Sequence, residues 1–246
     1  MATTTTKSGT IIPHLYILHG WAYDSQKWEI LQRALEKTNI EATLLRIPGL
    51  TSPLDRPYDI SDYISWIDTS IEKKTPVILL GHSNGGRLAF HYALEHPSNI
   101  SHLILIDSAG VEHTDIVSQM KKNALLLLAK MGKKVTRSNF LRNLLYTIAR
   151  EKDYQEASPV MRKTMQNLLA ADHNFPFSKI AVPTALIWGE KDTITPLVDG
   201  LTMHAKIKNS KMYTIPEARH APQFTHPERI VKIIEEIIER ISKDSI

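Results

Sequence analysis

Six residues constrain this chain more than any others: Gly81-His82-Ser83-Asn84-Gly85-Gly86, which follow the apolar run Val77–Leu80 and open a helical pattern reaching about Glu95. A wholly apolar run of this length is expected of a strand covered by helices on both faces. A G-x-S-x-G turn between such a strand and a helix is tight enough that side chains at Gly81 or Gly85 would clash. It lifts the serine hydroxyl above the sheet edge, and the helix N-terminus brings backbone N–H groups beside it. Ser83 is therefore the candidate nucleophile.

A serine hydroxyl is a weak nucleophile unless a base takes its proton and a carboxylate holds that base. The chain has 11 histidines, so composition cannot choose among them. Position can. Strand-like runs at Leu15–Leu18, Ala42–Ile47, Val77–Leu80 and Leu103–Ile106 alternate with helical patterns around Trp28–Leu35, Ile60–Ile71 and Asn84–Glu95. Ser25 is the expected N-cap of the first helix. The rhythm resumes late, with strands Thr184–Trp188 and Lys211–Ile215 and helices Thr195–His204 and Glu228–Ser242. Such alternation implies βαβ units and a parallel sheet, whose ligand and catalytic groups gather at the carboxyl ends of the strands.

Asp192 follows the strand ending at Trp188, and His220 follows the strand ending at Ile215. The chain order Ser83, Asp192, His220 is that of nucleophile, acid and base on a nucleophile-elbow sheet. Asp107, at another strand end, and Glu190, two residues before Asp192, are rival acids. Asp192 is preferred because its strand is the one this layout normally uses. Two backbone donors would then face the developing oxyanion: the N–H of Asn84, after the nucleophile, and the N–H of Trp21, after the first strand at His19-Gly20.

From about Val111 to Ser178 the strand signals vanish, and helical patterns cover Ala124–Ala129, Phe140–Ala149 and Val160–Ala170. The expected architecture is α/β. It has a mostly parallel sheet of about six to eight strands flanked by helices, formed by residues 11–110 and 179–246. An all-helical cap, residues 111–178, is inserted between the two parts.

The segments Leu18-His19-Gly20-Trp21, Gly81–Gly86, Trp188-Gly189-Glu190-Lys191-Asp192-Thr193-Ile194-Thr195-Pro196 and His220-Ala221-Pro222 resemble the α/β-hydrolase superfamily. The early His-Gly-Trp, and the late His-Ala-Pro followed by His226-Pro227, resemble its small-esterase branch, which includes pimeloyl-acyl-carrier-protein methyl ester esterase. That resemblance implies hydrolysis of short- to medium-chain carboxylic esters through an acyl-enzyme, with no metal and no organic cofactor. Lactone, thioester or carbon–carbon bond hydrolysis on the same triad, or a slow-turnover small-ligand receptor, are the alternatives. The chain departs from its relatives at Pro48–Pro53, where they carry a glycine-rich turn, and at Arg219, where a small residue is common. Only 14 residues precede Leu15, so the usual leading β-hairpin is expected to be short or missing.

Composition narrows the partners. There is no cysteine, which excludes disulfides, thiolate metal sites and a cysteine nucleophile. A net charge of +4 over 246 residues gives no concentrated basic stripe for nucleic acid. Residues 111–178 nevertheless hold 11 Lys and Arg against 6 Asp and Glu, an excess of +5. The excess reads as a solvated helix face, as a docking surface for an acidic carrier protein, which the esterase resemblance implies, or as a membrane-surface helix, for which aromatic residues nearby are few. The polar start, Met1–Thr10, and the lack of an apolar stretch near 20 residues predict a cytoplasmic protein without a membrane span, monomeric or homodimeric.

Overall fold

The structure, a computed structural model, describes residues 13–21, 24–112 and 157–244. Six strands form one sheet: β1 (Leu15–Leu18), β2 (Ala42–Leu45), β3 (Val77–His82), β4 (Ile100–Ile106), β5 (Thr184–Gly189) and β6 (Ser210–Ile215). Their order is β2-β1-β3-β4-β5-β6, and every neighbouring pair is parallel. The expected fold class is thus present, with six strands among the described residues. The order reverses between β1 and β3: α1 (Ser25–Glu36) leads outward to β2, and α2 (Ile60–Ser70) carries the chain back across to β3. A crevice opens at such a switch point, beyond the carboxyl ends of the two strands.

The period-two geometry of the strands sorts their side chains onto two cores. Leu15 and Ile17 of β1, with Ile78 and Leu80 of β3, pack against Trp28, Leu31 and Leu35 of α1. The same core takes in Ile230, Ile233, Ile234, Ile237 and Ile238 of the C-terminal helix, Pro227–Asp244. Each of those isoleucines is at most 6% exposed and contributes about 1.5–3 kcal/mol by leaving water. Tyr16, Leu18, Val77 and Leu79 face the other way, onto Tyr63, Ile64 and Ile67 of α2 and Leu88, Ala89 and Tyr92 of α3 (Asn84–Glu95). With both faces covered, β3 needs the unbroken apolar run from which it was expected.

Local signals decide where elements begin. Asp24, not Ser25, caps α1: its carboxylate accepts from the N–H groups of Gln26 and Lys27 at 3.1 and 3.4 Å. Both side-chain types cap helices well, and the chain enters the helix one residue earlier than expected. For α2, Asp59 and Asp62 form a reciprocal capping box. β4 begins at Ile100 rather than Leu103, because polar Ser101 and His102 occupy a stretch where the ladder with β3 shifts register.

α4 (Pro159–Ala171) coincides with the helix expected at the end of the cap. It is fastened over the loop leading to α2: Thr164 Oγ1 accepts from Tyr58 N–H at 3.0 Å, and Asn167 Nδ2 donates to Tyr58 O at 3.0 Å. Leu168 joins the core on the α2–α3 face. The expected helices Ala124–Ala129 and Phe140–Ala149, the leading hairpin and most of the basic excess lie outside the described residues. α5 (Leu197–Lys206) starts two residues later than expected, since Thr195 and Pro196 belong to the loop after β5. The short α6 (Pro222–Thr225) and then α7 (Pro227–Asp244) complete the chain. No helix among the described residues is long and apolar enough to cross a membrane.

Candidate active site

The β3–α3 turn holds Ser83 at φ 54°, ψ −119°, a left-handed backbone that a residue with a side chain adopts only at a cost of order 1–3 kcal/mol. Its neighbours over-determine it. Ser83 N–H donates to Ile106 O at 3.1 Å, and Ser83 O accepts from the N–H groups of Gly86, Arg87 and Ala109. A Cβ on Gly85 would sit 2.1 Å from Leu18 O, and one on Gly81 2.5 Å from Gly85 O. Only glycine allows the helix start to press against β1 in this way.

Three loops meet above this turn. His220, in the loop after β6, has Nε2 3.0 Å from Ser83 Oγ and Nδ1 2.8 Å from Asp192 Oδ2. The Asp192 side chain is fully buried and that of His220 is 18% exposed, so the reactive end of the chain of contacts faces outward. Asp192 also accepts from the backbone N–H groups of Ile194 and Thr195, at 2.7 and 3.1 Å, and from Thr195 Oγ1 at 2.7 Å. With its carboxylate fixed by the backbone, Asp192 favours the His220 tautomer that carries Nδ1–H, which turns the Nε2 lone pair toward Ser83 Oγ. Of the two rival acids, Glu190 is exposed, and Asp107 is buried beside the site.

Two further histidines hold the frame, and neither stood out in the sequence as a site residue. His82 is buried, and its Nε2–H donates to the His220 backbone carbonyl at 2.7 Å. Burial, then the neighbouring His220, pulls its pKa down to about 3, so it stays neutral. His19 Nε2 accepts from Ile47 N–H at 3.3 Å, which leaves Nδ1–H to donate to Gly20 O at 2.8 Å. Burial lowers its pKa as well. Because the Gly20–Trp21 peptide is planar and trans, fixing the Gly20 carbonyl also fixes the direction of the Trp21 N–H. A Cβ on Gly20 would lie 3.1 Å from Ser83 Cβ, so this peptide passes directly beside the serine. Asn84, the first residue of α3, contributes an N–H with no intrahelical acceptor. The sequence signal for both histidines was their adjacency: His19 precedes the strand-end glycine, and His82 precedes the serine.

Nitrogens of His82 and His220 and a carboxylate oxygen of Asp107 lie within 4.8 Å of one another, a grouping that could be read as metal ligands. Both ring nitrogens of His220 are already engaged, by Ser83 and by Asp192. The cluster therefore works as a network of imidazoles and carboxyls. A second network lies behind the turn, where Arg87 of α3 forks onto Asp172 at 2.8–3.0 Å and donates from Nη1 to Asn84 Oδ1 at 2.6 Å.

The chain is similar over most of its length to proteins of known kind. It is 24% identical to a pimeloyl-[acyl-carrier protein] methyl ester esterase of Neisseria meningitidis serogroup A, covering 94% of this chain and 78% of that protein. With the protein of the same name from Pseudoalteromonas atlantica it shares 26% identity over 92% of this chain and 95% of the relative. Among solved structures, a meta-cleavage product hydrolase from Pseudomonas fluorescens IP01 superposes with a TM-score of 0.63 at 16% identity, covering 93% and 91% of the two chains. The family model described as the alpha/beta hydrolase family matches residues 15–233. The chain belongs to the alpha/beta hydrolase family.

Proposed function

We propose that this protein is a carboxylic-ester hydrolase in which Ser83 is the nucleophile, His220 the general base and acid, and Asp192 the residue that orients His220. The observation that carries the proposal is the continuous contact from Ser83 Oγ to His220 Nε2 and from His220 Nδ1 to Asp192 Oδ2, at 3.0 and 2.8 Å. It sits at the switch point of a parallel sheet, with one end buried and the other open to substrate.

In this reading Ser83 Oγ attacks the ester carbonyl carbon as His220 Nε2 takes its proton. The carbonyl oxygen becomes an oxyanion held by the N–H groups of Trp21 and Asn84. Collapse breaks the acyl–oxygen bond, and His220 returns the proton to the departing alcohol. Water then enters by the same route and attacks the acyl carbon as His220 takes its proton; when the acyl–Oγ bond breaks, His220 returns that proton to Ser83 Oγ and the acid leaves. Asp192 stabilises the imidazolium in both halves without itself being protonated. Each oxyanion donor accounts for ~10²–10³ of the rate.

The relatives' names support an acyl ester as substrate, the acyl chain lying under a cap that residues 111–178 insert between the core segments 11–110 and 179–246. An acyl group presented on an acidic carrier protein is the form that also uses the +5 charge excess of that segment. The test is hydrolysis of p-nitrophenyl esters from acetate to laurate by wild type and Ser83→Ala. A chain-length optimum that vanishes in Ser83→Ala supports the reading. Turnover that survives the substitution contradicts it, and absence of turnover on every ester turns the search to carrier-bound esters, lactones and binding without catalysis.

A further inference from the structure

One carboxyl at the site has no part in this mechanism. Asp107 follows β4 with φ 42° and is completely buried. Its backbone is tied on both sides: N–H donates to Ile187 O at 3.0 Å, and O accepts from Thr195 Oγ1 at 3.0 Å. Oδ1 accepts from Gly189 N–H at 2.8 Å. Oδ2 is buried with no hydrogen-bond partner among the described residues. A buried carboxyl oxygen left unmatched is destabilising, so a position serving only the fold gains nothing from aspartate here. Asparagine would keep the Gly189 contact without a titrating group.

What surrounds Asp107 is the other acid and the base. A carboxylate oxygen of Asp107 lies within 4.8 Å of a ring nitrogen of His220 and of one of His82. Thr195 Oγ1 stands between the two acids, 3.0 Å from Asp107 O, 2.7 Å from Asp192 Oδ2 and 3.2 Å from His220 Nδ1. We propose that Asp107 is a second positioning acid for His220, able to hold the imidazole when the Asp192 carboxylate is removed. The proposal rests on the serine-hydrolase reading above.

The electrostatics agree with the geometry. Burial, and then the charge of Asp192, hold the Asp107 carboxyl well above the usual carboxylate range. Two close carboxylates do not both ionise readily. Taking the Asp192 charge away removes one of the two forces that hold the Asp107 pKa up, and the Asp107 carboxylate then lies within 4.8 Å of a ring nitrogen of His220. The groups that face it are Asp192 from the loop after β5, His220 from the loop after β6 and His82 from the end of β3. His19 at the end of β1 acts on His82 from behind.

The test is a double-mutant cycle on p-nitrophenyl butyrate hydrolysis: wild type, Asp107→Asn, Asp192→Asn and both together, each checked for native melting and followed from pH 6 to 10. Where a triad has a single acid, converting it to the amide costs ~10⁴ in kcat. With Asp107 in reserve, Asp192→Asn is expected to lose only ~10²-fold. Its residual rate should rise with pH to a plateau as Asp107 ionises, and Asp107→Asn should cost at least tenfold more in the Asp192→Asn background than in wild type. Equal cost of Asp107→Asn in the two backgrounds, or a flat pH profile in Asp192→Asn, would overturn the proposal. If Asp192→Asn does not fold, Asp192→Ser carries the same comparison. Ser83→Ala, measured alongside, separates the two failures: if it remains active the serine reading itself is lost, and if it is inactive only the role of Asp107 is in question.

Discussion

Replacing Arg87 by Met should be among the most damaging single changes to the stability of this protein, and the structure says by how much. The Arg87 and Asp172 side chains are 6% and 7% exposed, and the guanidinium donates to both carboxylate oxygens while its remaining arm holds Asn84. Asp172 also stands at the C-terminal end of α4, where the helix dipole disfavours a negative charge. Removing one member of a buried pair strands the other and typically costs 3–5 kcal/mol. At about 2–4 °C per kcal/mol for a chain of this size, Arg87→Met should lower Tm by roughly 6–20 °C. Asp172→Leu should do the same for the opposite reason. The double variant, which leaves no charge behind, should return to within about 2 kcal/mol of wild type. Urea denaturation followed by far-UV circular dichroism reads all four proteins. If Arg87→Met shifts stability by less than about 1 kcal/mol, the pair behaves as a solvated surface bridge and the reasoning fails. Because Arg87 also anchors Asn84, folded Arg87→Lys is expected to lose kcat more than it changes KM.

Other consequences follow from the same coordinates. Gly85→Ala places a Cβ 2.1 Å from the Leu18 carbonyl, so the variant should be recovered mostly unfolded, and a folded, active Gly85→Ala would refute the close approach of α3 to β1. His19→Phe removes the clamp on the Gly20 carbonyl and should lower kcat for p-nitrophenyl esters by ~10–10²-fold with little change in KM, since one oxyanion donor is misdirected. His91 is packed between Phe90 and Phe175, its Nε2 has no partner among the described residues, and burial draws its pKa down to about 4. The unfolded chain takes up a proton near pH 6.5 that the folded protein refuses until about pH 4. Stability should therefore fall as pH drops through that window, by about 1.4 kcal/mol per unit for this group. His82, held down to about 3, adds to the same slope. The Asp107 carboxyl, held up, gives the opposite sign, stabilising at low pH and losing that contribution as pH rises. The urea midpoint of wild type should fall relative to that of His91→Leu as pH drops from 7 to 4, and parallel curves would remove His91 from the account.

Much of this arrangement was legible in the chain because tight constraints leave few choices of residue. The double burial of β3 requires the run Val77–Leu80, and the crowded turn requires Gly81 and Gly85. The period of the isoleucines in α7 matches the face it buries. Strand ends placed Ser83, Asp192 and His220 on one edge of a parallel sheet but left Asp107 and Glu190 as rival acids, and the usual layout of a nucleophile-elbow sheet favoured Asp192. What sequence did not supply were the partners reached across that edge. His82 and His19 act on backbone carbonyls, contacts with no characteristic spacing. Arg87 and Asp172 are 85 residues apart and meet only through the way α4 docks. Asp107 was visible as a strand-end carboxylate, but its buried, unpaired oxygen is a property of packing. The N-cap of α1 fell on Asp24 instead of Ser25 because two good caps are adjacent, and only the path of the chain decides between them.

The central claim is that Ser83 carries the acyl group, and it is tested most directly by reacting the protein with a fluorophosphonate and mapping the adduct by peptide mass spectrometry. The account predicts one covalent phosphonate on Ser83, formed as esterase activity disappears, absent from Ser83→Ala and formed far more slowly in His220→Ala. An adduct on another serine that tracks the loss of activity, or complete labelling of His220→Ala at the wild-type rate, would contradict it.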